Sequence, residues 1–96
     1  MNVLVVGSGG REHTLAWKIA RSPHLTRLYI APGNGGTSEA GENIHVKGTD
    51  FEGIKKAVLD KKIDMVVVGP EQPLVEGIGD FFSGDAELTN IPLIGP

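Results

Sequence analysis

The 96-residue sequence contains no cysteine. That absence removes disulfide staples, thiolate nucleophiles and cysteine-based zinc sites together, and it fits a reducing, cytoplasmic setting. Aromatic residues are scarce, with one Trp, one Tyr and three Phe, and packing is their expected role rather than service as ligand platforms. Positive charge is not in excess: 9 Lys and Arg against 12 Asp and Glu leave a net charge of -3. Neither nucleic acid nor an anionic membrane is therefore an expected partner, and any anion must be met by a local device. Long apolar runs are missing as well. Those at 3–6 and 65–68 fall far short of the roughly 20 residues that span a bilayer, and no signal-peptide pattern precedes them. The 3 histidines show no metal-ligand spacing, so no protein-made metal site is expected, and His24 and His45 read as surface residues. The length allows a single domain, residues 1–96, and excludes a large multidomain catalyst.

Glycine is what the sequence has in surplus, 14 residues, about twice the usual share. The glycines cluster behind short apolar runs. Residues 2–6 are rich in β-branched side chains and apolar on both alternate sets, as in a parallel strand covered on both faces. Gly7-Ser8-Gly9-Gly10 breaks that strand, and a helix is expected from Arg11 to about Arg21, with Leu15, Ala16, Ile19 and Ala20 at helical spacing and Ser22-Pro23 as the stop. Further strands are expected at 27–30, around 44–46, at 64–68 and at 91–94. Asp50 is positioned to cap a helix running to about Lys61, and Pro73 suits the first position of a third helix that buries Leu74, Ile78, Phe81 and Phe82. Alternating strands and helices imply an α/β fold, a Rossmann-like open, mostly parallel sheet with flanking helices. In such sheets a ligand sits outside the carboxyl ends of the strands where their order reverses.

Three strand-end loops carry the residues with chemical potential. The glycines of 7–10 allow close approach of backbone to ligand, and the following helix points free N–H groups at the turn, a combination that receives phosphate or carboxylate. The bland alternative is a plain tight turn. Arg11 offers a bidentate guanidinium to a phosphate, and Glu12 offers a carboxylate to hydroxyls or an amine, unless it only complements the helix dipole. His13 reads as a packing or capping residue. The second loop, Pro32-Gly33-Asn34-Gly35-Gly36-Thr37, presents backbone N–H groups, an amide and a hydroxyl to a polyhydroxylated ligand; alternatively it is a mobile surface loop with few buried contacts. The third, Gly69-Pro70-Glu71-Gln72-Pro73, holds a carboxylate between two prolines, suited to ribose hydroxyls or an amine, or is simply a rigid turn. A dinucleotide is the runner-up ligand. Gly7 and Gly9 fit G-x-G-x-x-G, but Glu12 occupies the third glycine position, and Ile30-Ala31-Pro32 stands where an acid is wanted at the end of the second strand. A freestanding dinucleotide-binding domain and a noncatalytic interaction module remain the competing classes.

In order and spacing, Val5-Val6-Gly7-Ser8-Gly9-Gly10-Arg11-Glu12-His13, the loop 31–37 and Val68-Gly69-Pro70-Glu71-Gln72-Pro73-Leu74-Val75 resemble the amino-terminal domain of the phosphoribosylamine-glycine ligase family, also called glycinamide ribonucleotide synthetase. The resemblance covers essentially the whole chain; Ser8 and Gly36 are mild variants of positions where the family often has Asn and Ala, and 83–90 is longer than the short turn expected there. It implies the pre-ATP-grasp domain of an ATP-grasp enzyme of de novo purine biosynthesis. Such enzymes use ATP with Mg²⁺ or Mn²⁺ to activate glycine as glycyl phosphate. The amine of 5-phosphoribosylamine attacks it to give glycinamide ribonucleotide, ADP and phosphate. The resemblance further implies that the nucleotide, the metal and the catalytic groups belong to ATP-grasp and carboxy-terminal domains missing from these residues, so that the chain alone is inactive and binds neither ATP nor metal. The substrate-facing residues it implies are Gly9, Gly10, Arg11 and Glu12 from the first loop, Asn34, Gly35 and Thr37 from the second, and Glu71 from the third. A monomeric or weakly associated cytoplasmic enzyme is expected.

Overall fold

The computed structural model describes residues 1–7, 10–70 and 72–95, with backbone alone at 10–13 and 72. Strand β1 (Asn2–Gly7) leads into helix α1 (Gly10–Ala20), strand β2 (Arg27–Pro32), a 3-10 turn (Thr37–Glu39) and the two-residue strand β3 (Glu42–Asn43). Helix α2 (Phe51–Asp60), strand β4 (Met65–Val68), the short helices α3 (Gln72–Val75) and α4 (Ile78–Ser83), and strand β5 (Leu93–Ile94) follow. All strand pairs are parallel, in the order β3-β2-β1-β4-β5. The chain builds outward from β1 on one side and then returns to the other, so the order reverses between β1 and β4. The expected Rossmann-like α/β fold is the fold observed.

Burial follows from the two-residue period of a strand. Leu4 and Val6 point to one face with Val66 and Val68, under Ile54 and Val58 of α2 and Ile78 and Phe82 of α4. Val3 and Val5 point to the other, with Leu28, Ile30 and Ala16 of α1. β1 is thus covered on both sides, which explains its unbroken apolar run. Cover on the α1 side thins toward β5, where Met65 and Val67 are only partly buried and Ile94 is exposed.

Local signals account for most boundaries. Asp50 caps α2 as its position predicts, accepting the Gly53 N–H at 3.1 Å, an arrangement worth about 1 kcal/mol. The proline before β5 is tolerated because β5 lies on an edge. His24 and His45 are exposed, as expected.

Three expectations need correction. The third strand is not at 44–46: β3 pairs Glu42 and Asn43 with Tyr29 and Ile30, and the alternating Ile44 and Val46 instead pack partly buried against the core beneath α2. The chain leaves the sheet there to cross to its other face, so that apolar alternation serves cover rather than pairing. The third helix is two helices. Gly77 breaks it at φ 99°, a left-handed conformation natural to glycine, while Leu74, Ile78, Phe81 and Phe82 keep their common face toward the core. Trp17 is 53% exposed rather than packed, because it lies off the stripe that Ala16 and Ile19 turn to the sheet. The unexpectedly long segment at 83–90 is itself structural. Leu88 is fully buried in the core, and Lys55 of α2 reaches across to Asp85 at 2.7 Å and Glu87 at 3.3 Å. The hydrogen bond from Lys55 holds the Asp85 carboxyl below the ordinary carboxylate range, and the same bond raises Lys55.

Candidate functional site

Three of the parallel strands end side by side at the point where the order reverses. Gly7 at the end of β1 is level with Pro32 at the end of β2, and Val6 is level with Val68 at the end of β4. Backbone bonds continue the alignment into the loops: Gly33 N–H donates to Gly7 O at 2.9 Å, and Gly69 N–H donates to Val6 O at 3.1 Å. The loops after β1, β2 and β4 therefore leave one edge of the sheet together, which is the crevice position for ligands in open α/β sheets. Residues 47–49, to which the sequence pattern assigns no element, also approach this edge through Gly48. A Cβ added at Gly48 would lie 2.9 Å from Val6 Cγ1 and 3.3 Å from Pro73 Cγ, so the β3–α2 connection runs over the end of β1 beside α3.

The expected site residues distribute unevenly. Gly9 and Glu71 lie outside the described residues. Gly10, Arg11 and Glu12 open α1 at the crevice edge, with their side chains, and that of His13, likewise outside what is described. An 11-residue helix beginning there directs its first N–H groups, and the positive end of its dipole, toward the loop after β1.

Asn34, Gly35 and Thr37 belong to a loop that is cross-linked rather than loose. Thr37 is fully buried. Its hydroxyl accepts the Asn34 N–H at 2.6 Å and lies 2.8 Å from Asn43 Oδ1 and 2.9 Å from Asn34 O. A hydroxyl has one proton to give. Asn34 O already receives Asn43 Nδ2–H at 2.8 Å, so donation to Asn43 Oδ1 is the assignment that satisfies every group. The Asn34 side-chain oxygen accepts the N–H groups of Gly36 at 2.8 Å and Thr37 at 3.0 Å, and Ser38 Oγ donates to Gly35 O at 2.7 Å. Gly33, at φ 73°, makes the turn possible; a Cβ there would strike Asn43 Oδ1 and come within 2.6 Å of Thr37 Oγ1. The premise that small polar residues leave this loop with few buried contacts is overturned, because those residues bond to one another. Gly35 alone stays at the exposed tip, with nothing within 4 Å of where a Cβ would stand.

Sequence reasoning missed Asn43. Its partners are 6 and 9 residues away, and no local pattern distinguishes it from an ordinary surface asparagine before an apolar run.

Residues 1–96 match the family described as phosphoribosylglycinamide synthetase, N domain. The chain belongs to that family. The phosphoribosylamine-glycine ligase of Mesorhizobium japonicum is 54% identical over 96 residues, which cover 100% of this chain and 22% of that protein. A bifunctional purine biosynthetic protein of Schizosaccharomyces pombe is 47% identical over 98 residues, 97% of this chain and 12% of that protein. Among solved structures, phosphoribosylamine-glycine ligase from Thermotoga maritima superimposes with a TM-score of 0.54 at 27% identity, over 75% of this chain and 16% of that one. The chain thus spans about a fifth of the length of the ligases it matches. No described helix is long and apolar enough to cross a membrane.

Proposed function

We propose that residues 1–96 form the single amino-terminal, substrate-facing domain of a phosphoribosylamine-glycine ligase, an enzyme that joins glycine to 5-phosphoribosylamine with ATP hydrolysis to give glycinamide ribonucleotide, ADP and phosphate in purine biosynthesis. The observation that carries this reading is the meeting of three strand-end loops at the reversal of strand order, in a chain that matches the family from residue 1 to 96. Gly9, Gly10 and Arg11, with the first turn of α1, receive the phosphate of 5-phosphoribosylamine. Arg11 adds a charge-assisted bond to the dipole of the helix. Asn34, Gly35 and Thr37 form the bordering loop, in which Gly35 is the exposed tip and Asn34 and Thr37 set its shape. Glu71, which the sequence sets between two prolines, and Glu12 face the ribose hydroxyls or the reacting amine.

ATP with Mg²⁺ or Mn²⁺ supplies the phosphoryl group that activates glycine. Among the described residues no three His, Asp or Glu side chains come together to hold a cation. The partners are small molecules, and the enzyme is a cytoplasmic monomer or a weak associate. A dinucleotide reading gains no support from the structure, since β2 ends on Ala31 and Pro32 where an acid would meet ribose.

The complete polypeptide carrying this domain is expected to form glycinamide ribonucleotide from ATP, glycine and 5-phosphoribosylamine. Arg11→Ala and Glu71→Ala should each raise KM for 5-phosphoribosylamine about tenfold or more, the scale of one charge-assisted hydrogen bond, and leave KM for ATP unchanged. Unaltered kinetics in both variants would overturn the site assignment.

A further inference from the structure

We propose that Asn43 is a positioning residue for the substrate, acting through the loop at 33–37. The inference rests on the reading of the crevice as the 5-phosphoribosylamine site. It starts from an asymmetry: Gly35 is the exposed tip of the loop, while the groups beside it are already engaged with one another. A loop of small residues keeps one shape only if something outside it fixes that shape, since each ordered residue loses about 1–2 kcal/mol of backbone entropy. Asn43 is that outside anchor. It sits on β3, whose pairing with Tyr29 and Ile30 sets its position, and its amide closes the loop from both sides, accepting from Thr37 Oγ1 at 2.8 Å and donating to Asn34 O at 2.8 Å. Thr37 is fully buried, and its hydroxyl serves the same anchor. The sheet, through Asn43, thereby fixes the shape of the loop that follows β2 and of the Gly35 tip it carries. Preorganisation of this kind lowers the entropy lost on binding, and it concerns only the ligand that the loop touches.

The test is steady-state kinetics on the complete polypeptide with Asn43→Leu, Thr37→Val and the double variant. Asn43→Leu and Thr37→Val are each expected to raise KM for 5-phosphoribosylamine about tenfold, the equivalent of one to two hydrogen bonds. KM for ATP and glycine should stay within about twofold. Because both residues act through one anchor, the double variant should be little worse than either single one. Parallel changes in all three KM values, or fully multiplicative effects, would point to general destabilisation and overturn the inference. Should Asn43→Leu fail to fold, Asn43→Ala leaves this half-buried edge position to water and is read in the same way. An independent measurement is amide exchange: the Asn34 amide, which donates to the Thr37 hydroxyl that Asn43 holds, should exchange more slowly than that of Gly35 in the unmodified protein and faster in Asn43→Leu, and an Asn34 rate that the substitution leaves unchanged would refute the anchor. If the unmodified protein makes no glycinamide ribonucleotide, the ligase reading falls. If it does and the Asn43 variants keep the wild-type KM for 5-phosphoribosylamine, the role of Asn43 alone falls.

Discussion

Replacing Gly33 by alanine tests whether the second crevice loop is built by backbone geometry. At φ 73° a side chain meets its own carbonyl, at a cost of about 1–2 kcal/mol. The added Cβ would also come within 2.6 Å of Thr37 Oγ1 and collide with the Asn43 amide. Thr37 is fully buried and Asn43 is pinned by the sheet, so relief means opening the knot, with one or two hydrogen bonds lost at about 1 kcal/mol each. Together these give a destabilisation of about 2–4 kcal/mol, a large share of the stability of an ordinary domain. Gly35→Ala is the matched control. Its φ is not in the left-handed region and its Cβ direction is open, so the same chemical change should leave stability within about 0.5 kcal/mol or raise it slightly by restricting the unfolded chain. Urea unfolding of both variants reads the difference. With a slope of about 1 kcal/mol per molar, the Gly33→Ala midpoint should fall by about 2 M or more while that of Gly35→Ala stays near the parent. Equal midpoints for the two variants would refute a loop shaped by the left-handed turn at Gly33.

Leu88→Ala should destabilise the protein by about 2–5 kcal/mol in the same unfolding assay, because Leu88, in the segment that joins α4 to β5, is fully buried in the core. A loss typical of a surface change would mean that the segment only passes over the core. The Lys55–Asp85 contact sets a pH window. Asp85, held below its ordinary range by the Lys55 hydrogen bond, contributes stability above the unfolded carboxylate value that is lost as pH falls through its lowered folded value. Lys55, raised by Asp85, contributes stability below its unfolded value that is lost as pH rises through its raised folded value. Asp85→Asn should therefore flatten the acid limb of the profile and leave stability between neutral pH and about pH 9 free of further dependence on this pair; an unchanged acid limb would show that the contact does not matter in solution.

Much of the fold was legible because its signals are local. The apolar runs of β1 and β4 mark doubly covered strands, Asp50 sits where a capping carboxylate belongs, and the stripe of Leu74, Ile78, Phe81 and Phe82 faces the core even though Gly77 breaks the helix that carries it. The misreadings have a common origin. Ile44 and Val46 alternate like a strand, but whether an alternating pair joins a sheet or covers a core depends on which strand lies beside it. Trp17 looks like a core residue by type, but it lies off the stripe of α1 that Ala16 and Ile19 turn to the sheet.

By itself the sequence determined the α/β class, the parallel strands, the three loops rich in glycine or proline at their carboxyl ends and the family to which the chain belongs. Each of these depends on residues near one another in the chain, where side-chain period, φ preference and capping act directly. The tertiary structure decided the strand order that brings the three loops to one edge, the approach of residues 47–49 to that edge through Gly48, and the anchor formed by Asn34, Thr37 and Asn43. A hydrogen-bond donor has no preference among the many acceptors of an unfolded chain. Only when β3 pairs with β2 does Asn43 stand next to the loop that it closes.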